Sequence, residues 1–89
     1  MQYVYVLYSR QDGSLYVGCT NDLKARIKLH NAEKVRSTKS RGPFELAYYE
    51  AYSNQRDGYE REKYLKTGWG KNYIKKVMRN FFISKNFGG

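Results

Sequence analysis

A small α+β domain is predicted: a three-stranded antiparallel sheet flanked by helices in the order β-β-α-β-α-α. Three observations predict it. Three runs are rich in β-branched and aromatic residues, QYVYVLY at 2–8, LYVGC at 15–19 and FELAYYEAY at 44–52, the composition of strands. The segments after the second and third runs open on helix-capping residues and carry apolar side chains at helical spacing. The 89 residues suffice for one core that buries about 60–65% of the unfolded surface, but not for two.

The first two runs are separated by Arg10-Gln11-Asp12-Gly13-Ser14, a hairpin signal. Thr20-Asn21-Asp22 supplies capping side chains before LKARIKLHN, where Leu23 and Ile27 share a face, so a first helix is expected from Leu23 to Ala32. Residues 33–43 hold Lys34, Arg36, Lys39 and Arg41 among Ser, Thr and Gly without an apolar period, and read as a basic loop. Phe44 to Tyr52 is the third strand. Ser53-Asn54 then caps a second helix through QRDGYEREKYLKTG, ending near Gly68. In KNYIKKVMRNFFI, Tyr73, Val77 and Phe81 recur at four-residue intervals beside Ile74 and Met78, giving one third helix. The domain is expected over 1–83, with 84–89 as a frayed tail.

The formal net charge is +9, from 17 Lys and Arg against 8 Asp and Glu. Such a field attracts polyanions, with nucleic acid the leading partner; a basic surface kept for solubility is the plain alternative. A membrane partner is not expected, because the apolar residues come in short strand-like runs and no helix shows a wide apolar stripe. The N-terminal residues lack a signal-peptide pattern, and the expected location is cytoplasmic. Cys19 is the only cysteine, so neither an intrachain disulfide nor a cysteine-based zinc site is expected.

Tyr3-Val4-Tyr5 and Tyr16-Val17-Gly18 sit on neighbouring expected strands. Arg26 follows Tyr16 by ten residues, His30 comes one turn later, Pro43-Phe44 opens the third strand and Arg61-Glu62 lies in the second helix. In this layout the sequence resembles the GIY-YIG nuclease superfamily over nearly its whole length, and residues 61–70 (REKYLKTGWG) resemble its short stand-alone members. The resemblance implies hydrolysis of phosphodiester bonds in DNA with one divalent cation, Mg2+ or Mn2+. Single-stranded DNA is among the substrates it implies, and RNA is left open. Many members carry an asparagine after the metal-binding glutamate; here Asn72 and Asn80 lie ten and eighteen residues beyond Glu62, and Asn72 is the candidate.

The residue chemistry agrees. Phosphodiester hydrolysis needs an activated water, charge stabilisation at phosphorus and help for the leaving oxygen. Tyr5 matches the tyrosine proposed as general base, although a phenol with pKa about 10 needs a neighbouring cation or a metal-bound water. Tyr16 would bond the water or a phosphate oxygen. Each tyrosine could equally be a strand residue packed against a helix. Arg26 offers a planar, permanently charged fork for phosphate, and its plain reading is a solvated helix arginine. His30 would shuttle a proton near neutral pH or, alternatively, favour the helix end. Glu62 is the expected metal ligand, a hard oxygen suited to a cation that keeps several waters; an i, i+4 salt bridge to Lys66 is the competing reading.

A two-residue turn at Asp12-Gly13 would pair Tyr16 with Ser9 and leave the two tyrosines about 13 Å apart along the strands. Joint action therefore predicts an irregular loop between residues 9 and 15. Lys34, Arg36, Lys39, Arg41, Lys71 and Lys75, with Lys76 and Arg79, are the cations expected to follow a phosphate backbone. Tyr48, Tyr49 and Trp69 are candidates for base stacking, although a Trp beside two glycines more often packs the end of a helix. No long basic helix is present to read a duplex, so low intrinsic sequence specificity is expected. The rival function is a non-catalytic basic nucleic-acid-binding module on the same fold.

Overall fold

Gln2–Ser9 forms β1, Leu15–Thr20 forms β2, and the two pair antiparallel, with Tyr5 opposite Gly18 and Leu7 opposite Tyr16. Phe44–Tyr52 forms β3 on the other side of β1, so the sheet order is β2-β1-β3. The computed structural model describes residues 1–88.

Strand alternation splits β1 between two faces. Val4 and Val6, both fully buried, face a core built with Leu65, Ile74 and Met78; Tyr5 and Leu7 face the other way, with Phe44, Leu23 and Ile27 around them. Helix α1, Leu23–Asn31, is the helix on this second face. Asp22 caps it by accepting from the Ala25 amide at 3.1 Å. On the first face lie α2 (Gln55–Leu65), α3 (Gly68–Val77) and α4 (Arg79–Gly88). Asn54 caps α2 by accepting from the Arg56 and Asp57 amides.

The helical region departs from the expected pair. Gly68 does not end α2, which stops at Leu65; Thr67 caps α3, its hydroxyl accepting from the Gly70 amide at 3.2 Å, and Gly68 is the first residue of that helix. Gly70 makes this tight corner possible, because a Cβ there would lie 2.1 Å from the Tyr64 carbonyl oxygen and 2.3 Å from the Leu65 Cα. The expected single C-terminal helix is broken at Met78. A four-residue spacing drifts about 40° per step around an α-helix, so a straight helix would carry Phe81 away from the sheet. The break turns it back: Phe81 meets Tyr8 edge-on at 5.3 Å and Phe82 joins the core, while Val77 is left exposed. Helix α4 runs on through 84–88, the segment expected to fray, and Lys85 ties it down by pairing with Glu45 and lying over the Tyr8 ring at 5.1 Å.

The α2 side of the sheet carries a half-buried charge cluster. The Glu50 carboxylate accepts from Tyr48 Oη at 2.5 Å, Tyr52 Oη at 2.6 Å, and Arg61 Nε and Nη2 at 2.8 and 3.0 Å. Burial alone would raise its pKa, but the Arg61 fork and the two phenols outweigh it and hold the carboxyl at about 2. A carboxyl depressed below its unfolded value of about 4.3 adds stability that is present above that pH and lost as pH falls towards the folded value. Glu50→Gln is therefore expected to be less stable than wild type by about 3 kcal/mol near neutrality. That gap should narrow steadily in urea titrations taken from about pH 5 to about pH 2; a gap independent of pH would refute the assignment.

Candidate active site

Tyr5 is the centre of the site. Its side chain is 1% exposed and leans across Gly18, where a Cβ would fall 2.3 Å from the hydroxyl oxygen and 2.4 Å from Cζ. The third residue of the Tyr16-Val17-Gly18 tripeptide is thus the space in which Tyr5 lies. The Tyr5 hydroxyl is 2.9 Å from His30 Nε2, and His30 Nδ1 is 2.7 Å from Thr38 Oγ1. All three side chains are buried. The Tyr16 ring completes the cluster, with its centroid 6.4 Å from that of Tyr5 and 5.0 Å from that of His30.

The register explains how the tyrosines meet. The loop after β1 is not a two-residue turn: the Ser9 amide donates to the Ser14 carbonyl, the Gly13 amide donates to the Ser9 carbonyl, and Gly13 holds φ +75°. Tyr16 therefore stands opposite Leu7, two positions from Tyr5 and on the same face. Asp12 and Ser9 stabilise the loop from within, Asp12 Oδ1 accepting from the Ser14 amide and Ser9 Oγ from the Gln11 and Asp12 amides.

Arg26 comes in from α1. It lines a polar cleft of about 250 Å³ with Gln2, Cys19, Thr20, Gln55 and Tyr59, and its charge acts on both Tyr5 and His30. Burial pushes the Tyr5 phenol above its ordinary value, Arg26 pulls it down, and Tyr16 and Glu62 add to the rise; Tyr5 rests as a neutral phenol. Burial first, and Arg26 second, hold the His30 imidazole at about 4. His30 is therefore neutral near pH 7 and does not titrate there as the sequence led us to expect. Its ring faces Tyr5 and Thr38 instead of the carbonyls at the end of α1.

Glu62 sits on α2, a quarter exposed, with Oε2 3.1 Å from Lys66 Nζ. The salt bridge expected as its competing reading is present. Its charge reaches Tyr5 and Cys19. Among the described residues no three His, Cys, Asp or Glu side chains gather into a metal-binding group.

The family model for the GIY-YIG catalytic domain matches residues 1–76. The chain belongs to the GIY-YIG family. The family is one of nucleases, which implies a nucleic-acid substrate. Among its relatives, a UPF0213 protein of Clostridium perfringens is 46% identical over 67 residues, covering 74% of this chain and 71% of that one. A UPF0213 protein of Bacillus pumilus is 44% identical over 66 residues, covering 73% of this chain and 66% of the relative. The solution NMR structure of a UPF0213 protein of Bacillus halodurans is similar with a TM-score of 0.54 and 33% identity, covering 86% of this chain and 85% of that one. The three-stranded sheet with its flanking helices is the GIY-YIG fold.

The remaining expected residues lie around this centre. Lys34, Arg36, Lys39 and Arg41 are all exposed on the loop, and Lys71 and Lys75 are exposed on α3. The two α3 lysines, with Lys66, rim a groove of about 410 Å³ floored by Leu15, Val17, Leu65 and Ile74 and bounded by Tyr16. Asn72 is exposed on α3. Tyr48 spends its hydroxyl on Glu50, whereas Trp69 is 78% exposed and does not pack a helix end. No described helix is long and apolar enough to cross a membrane, and Cys19 is a free thiol.

Thr38 and Ser37 were not singled out in the sequence. The loop is more than a carrier of cations: Val35 and Thr38 are buried beneath it, the Ser37 hydroxyl donates to Tyr16 Oη at 3.2 Å, and Arg41 Nη2 donates to Ser14 Oγ at 2.7 Å. Asn31 fixes the far end, its side chain donating to the Phe44 carbonyl and accepting from the Phe44 amide. The only signal for Thr38 is a single polar residue within a polar loop, and no periodicity distinguishes it.

Proposed function

We propose that this protein is a divalent-metal-dependent endonuclease that hydrolyses DNA phosphodiester bonds with low intrinsic sequence specificity, single-stranded DNA being an accessible substrate. The observation that carries the reading is the Tyr5 hydroxyl, buried 2.9 Å from an imidazole nitrogen, beneath a second tyrosine and under the charge of Arg26. A neutral phenol in contact with a neutral imidazole can take a proton from an attacking water while sharing its own with the ring. Nothing in an ordinary core requires that arrangement.

The other residues divide the remaining work. Arg26, half-buried at the polar cleft, would bind the phosphoryl oxygens through its planar fork and match the extra charge they gain in the transition state. Tyr16 would orient the water or a phosphate oxygen, with its own hydroxyl steadied by Ser37. Glu62 fits a magnesium- or manganese-type cation: it is a partly exposed carboxylate, one oxygen is held by an exposed lysine, and such ions retain waters and take further ligands from substrate phosphate. When bound, the cation supplies Lewis-acid stabilisation of the phosphoryl group and acidifies bound water. Lys34, Arg36, Lys39 and Arg41 on one side, with Lys71 and Lys75 on the other, would follow the strand to either side of the scissile bond.

The test is incubation of purified protein with end-labelled single- and double-stranded DNA and RNA in magnesium, manganese or chelator. Cleavage of DNA that needs the metal and vanishes in Arg26→Ala is expected. Salt-sensitive binding without cleavage would replace this reading with the non-catalytic module, and cleavage that survives chelation would point to a contaminant.

A further inference from the structure

We propose that Thr38 is a positioning residue that locks His30 in the tautomer with its proton on Nδ1, so that Nε2 is left as the acceptor for the Tyr5 hydroxyl. The catalytic consequence rests on the nuclease reading above; the tautomer does not.

The inference follows from counting protons in a sealed chain. Thr38 Oγ1 lies 2.7 Å from His30 Nδ1 and 3.4 Å from the Val35 carbonyl oxygen, and His30 Nε2 lies 2.9 Å from Tyr5 Oη. Thr38 and His30 are each 1% exposed, so water does not serve these atoms. The chain has one proton on the threonine oxygen, one on the imidazole and one on the phenol, and two arrangements are available.

In the first, Nδ1–H donates to Thr38 Oγ1, the threonine hydroxyl donates to the Val35 carbonyl, and Tyr5 O–H donates to Nε2. Every proton then has an acceptor. In the second, the threonine hydroxyl donates to Nδ1 and Nε2–H donates to Tyr5 Oη. The Tyr5 proton is then left without a protein acceptor and must turn to solvent, because Arg26, which also bonds the phenol, has only donors to offer. Two donors would converge on one phenol oxygen while its own hydrogen pointed at neither. Leaving the phenol hydrogen without a protein partner makes the first arrangement dominant by about fivefold or more. Thr38 decides the matter because its hydroxyl can both accept from Nδ1 and pass its own proton to a fixed backbone carbonyl.

The direction matters for chemistry. With Nε2 as acceptor, the Tyr5 oxygen keeps its lone pairs for the incoming water. A proton arriving from that water at Tyr5 Oη can be matched by departure of the phenol proton to Nε2, which forms an imidazolium hydrogen-bonded to Thr38. The hydroxide so formed attacks phosphorus, the bond to the leaving oxygen breaks, that oxygen takes a proton from solvent, and the proton held on His30 returns through Tyr5 to solvent. The reverse tautomer would present Tyr5 to the water as a donor and block that step. The same loop also reaches Tyr16 through Ser37, so the segment bearing Lys34, Arg36, Lys39 and Arg41 sets the state of both tyrosines.

His30 is the only histidine, so a tag-free protein labelled with 15N-histidine gives one imidazole to read by long-range 15N–1H correlation. A pyrrole-type Nδ1 and a pyridine-type Nε2 are expected in wild type and in Thr38→Ser. Thr38→Val is expected to lose that single tautomer and to lower kcat about tenfold or more with KM for the oligonucleotide unchanged, while Thr38→Ser keeps the wild-type kcat within about threefold. A protonated Nε2 in wild type would overturn the proposal, as would a Thr38→Val spectrum identical to wild type. Should Thr38→Val not fold, the wild-type and Thr38→Ser spectra still decide. The expected tautomer in a protein that cleaves no nucleic acid would uphold this inference and refute the nuclease reading, and cleavage by a protein with Nε2–H would do the reverse.

Discussion

Glu62→Gln is expected to lower single-turnover DNA cleavage in magnesium by about 10³-fold or more, while the urea midpoint stays at the wild-type value. The size follows from the role: Glu62 is the carboxylate proposed to hold the cation, and loss of that charge removes both stabilisation at phosphorus and an acidified water, together worth several kcal/mol, with each 1.4 kcal/mol a factor of ten. The unchanged stability follows from the surroundings. The carboxylate pairs with Lys66 at 3.1 Å, one helical turn away, and the lysine is more than half exposed; pairs of that kind contribute a few tenths of a kcal/mol. Loss of activity together with an equal loss of stability would instead make Glu62 a structural residue.

Gly18→Ala is expected to damage both properties. The added methyl would sit 2.3 Å from Tyr5 Oη and 2.9 Å from Cε2, well inside contact distance. A flexible side chain could swing away, but Tyr5 is 1% exposed and confined by His30, Tyr16 and Phe44. Overpacking of a filled core costs about 1–3 kcal/mol, visible as a lower urea midpoint with unchanged slope. Displacing the hydroxyl from His30 Nε2 should also lower cleavage by about 10²-fold, the usual worth of a positioned general base. Gly18→Ala with wild-type activity would show that the Tyr5–His30 contact is dispensable.

These effects trace back to features of unequal legibility. The three strands, the capping residues Asp22 and Asn54, and the extent of α1 could be read because alternation and capping are local signals. Tyr5, Tyr16, Arg26 and Glu62 were found by motif spacing, and the structure gathers the first three around one buried hydroxyl with the charge of Glu62 in range. The irregular loop was legible only indirectly, from the requirement that two tyrosines act together; its cause is Ser9 and Asp12 bonding to loop amides, which no strand pattern announces.

Other features depend on tertiary packing and left no periodic trace. The break at Met78 exists because Phe81 and Phe82 both need the sheet, a demand set by β1 and not by the helix itself. The corner at Gly70 depends on the approach of another helix. Glu50 and Arg61 find each other across eleven residues only once β3 and α2 are packed. Thr38 was hidden for the same reason: a basic, polar segment gives no hint that one of its hydroxyls is buried against a histidine. His30 was visible, but its neutral resting state was not, because burial and the nearby guanidinium together hold it below its ordinary pKa.

The central claim is that the groups gathered around Tyr5 break phosphodiester bonds. It is tested most directly by the single-turnover rate of DNA cleavage in magnesium for wild type and Tyr5→Phe, with matching circular dichroism to show that both are folded. The account predicts metal-dependent cleavage by wild type and a loss of about 10²-fold or more in the variant, whose ring fills the same space without the hydroxyl. Equal rates in the two proteins, or no cleavage by wild type of any DNA in either metal, would contradict it.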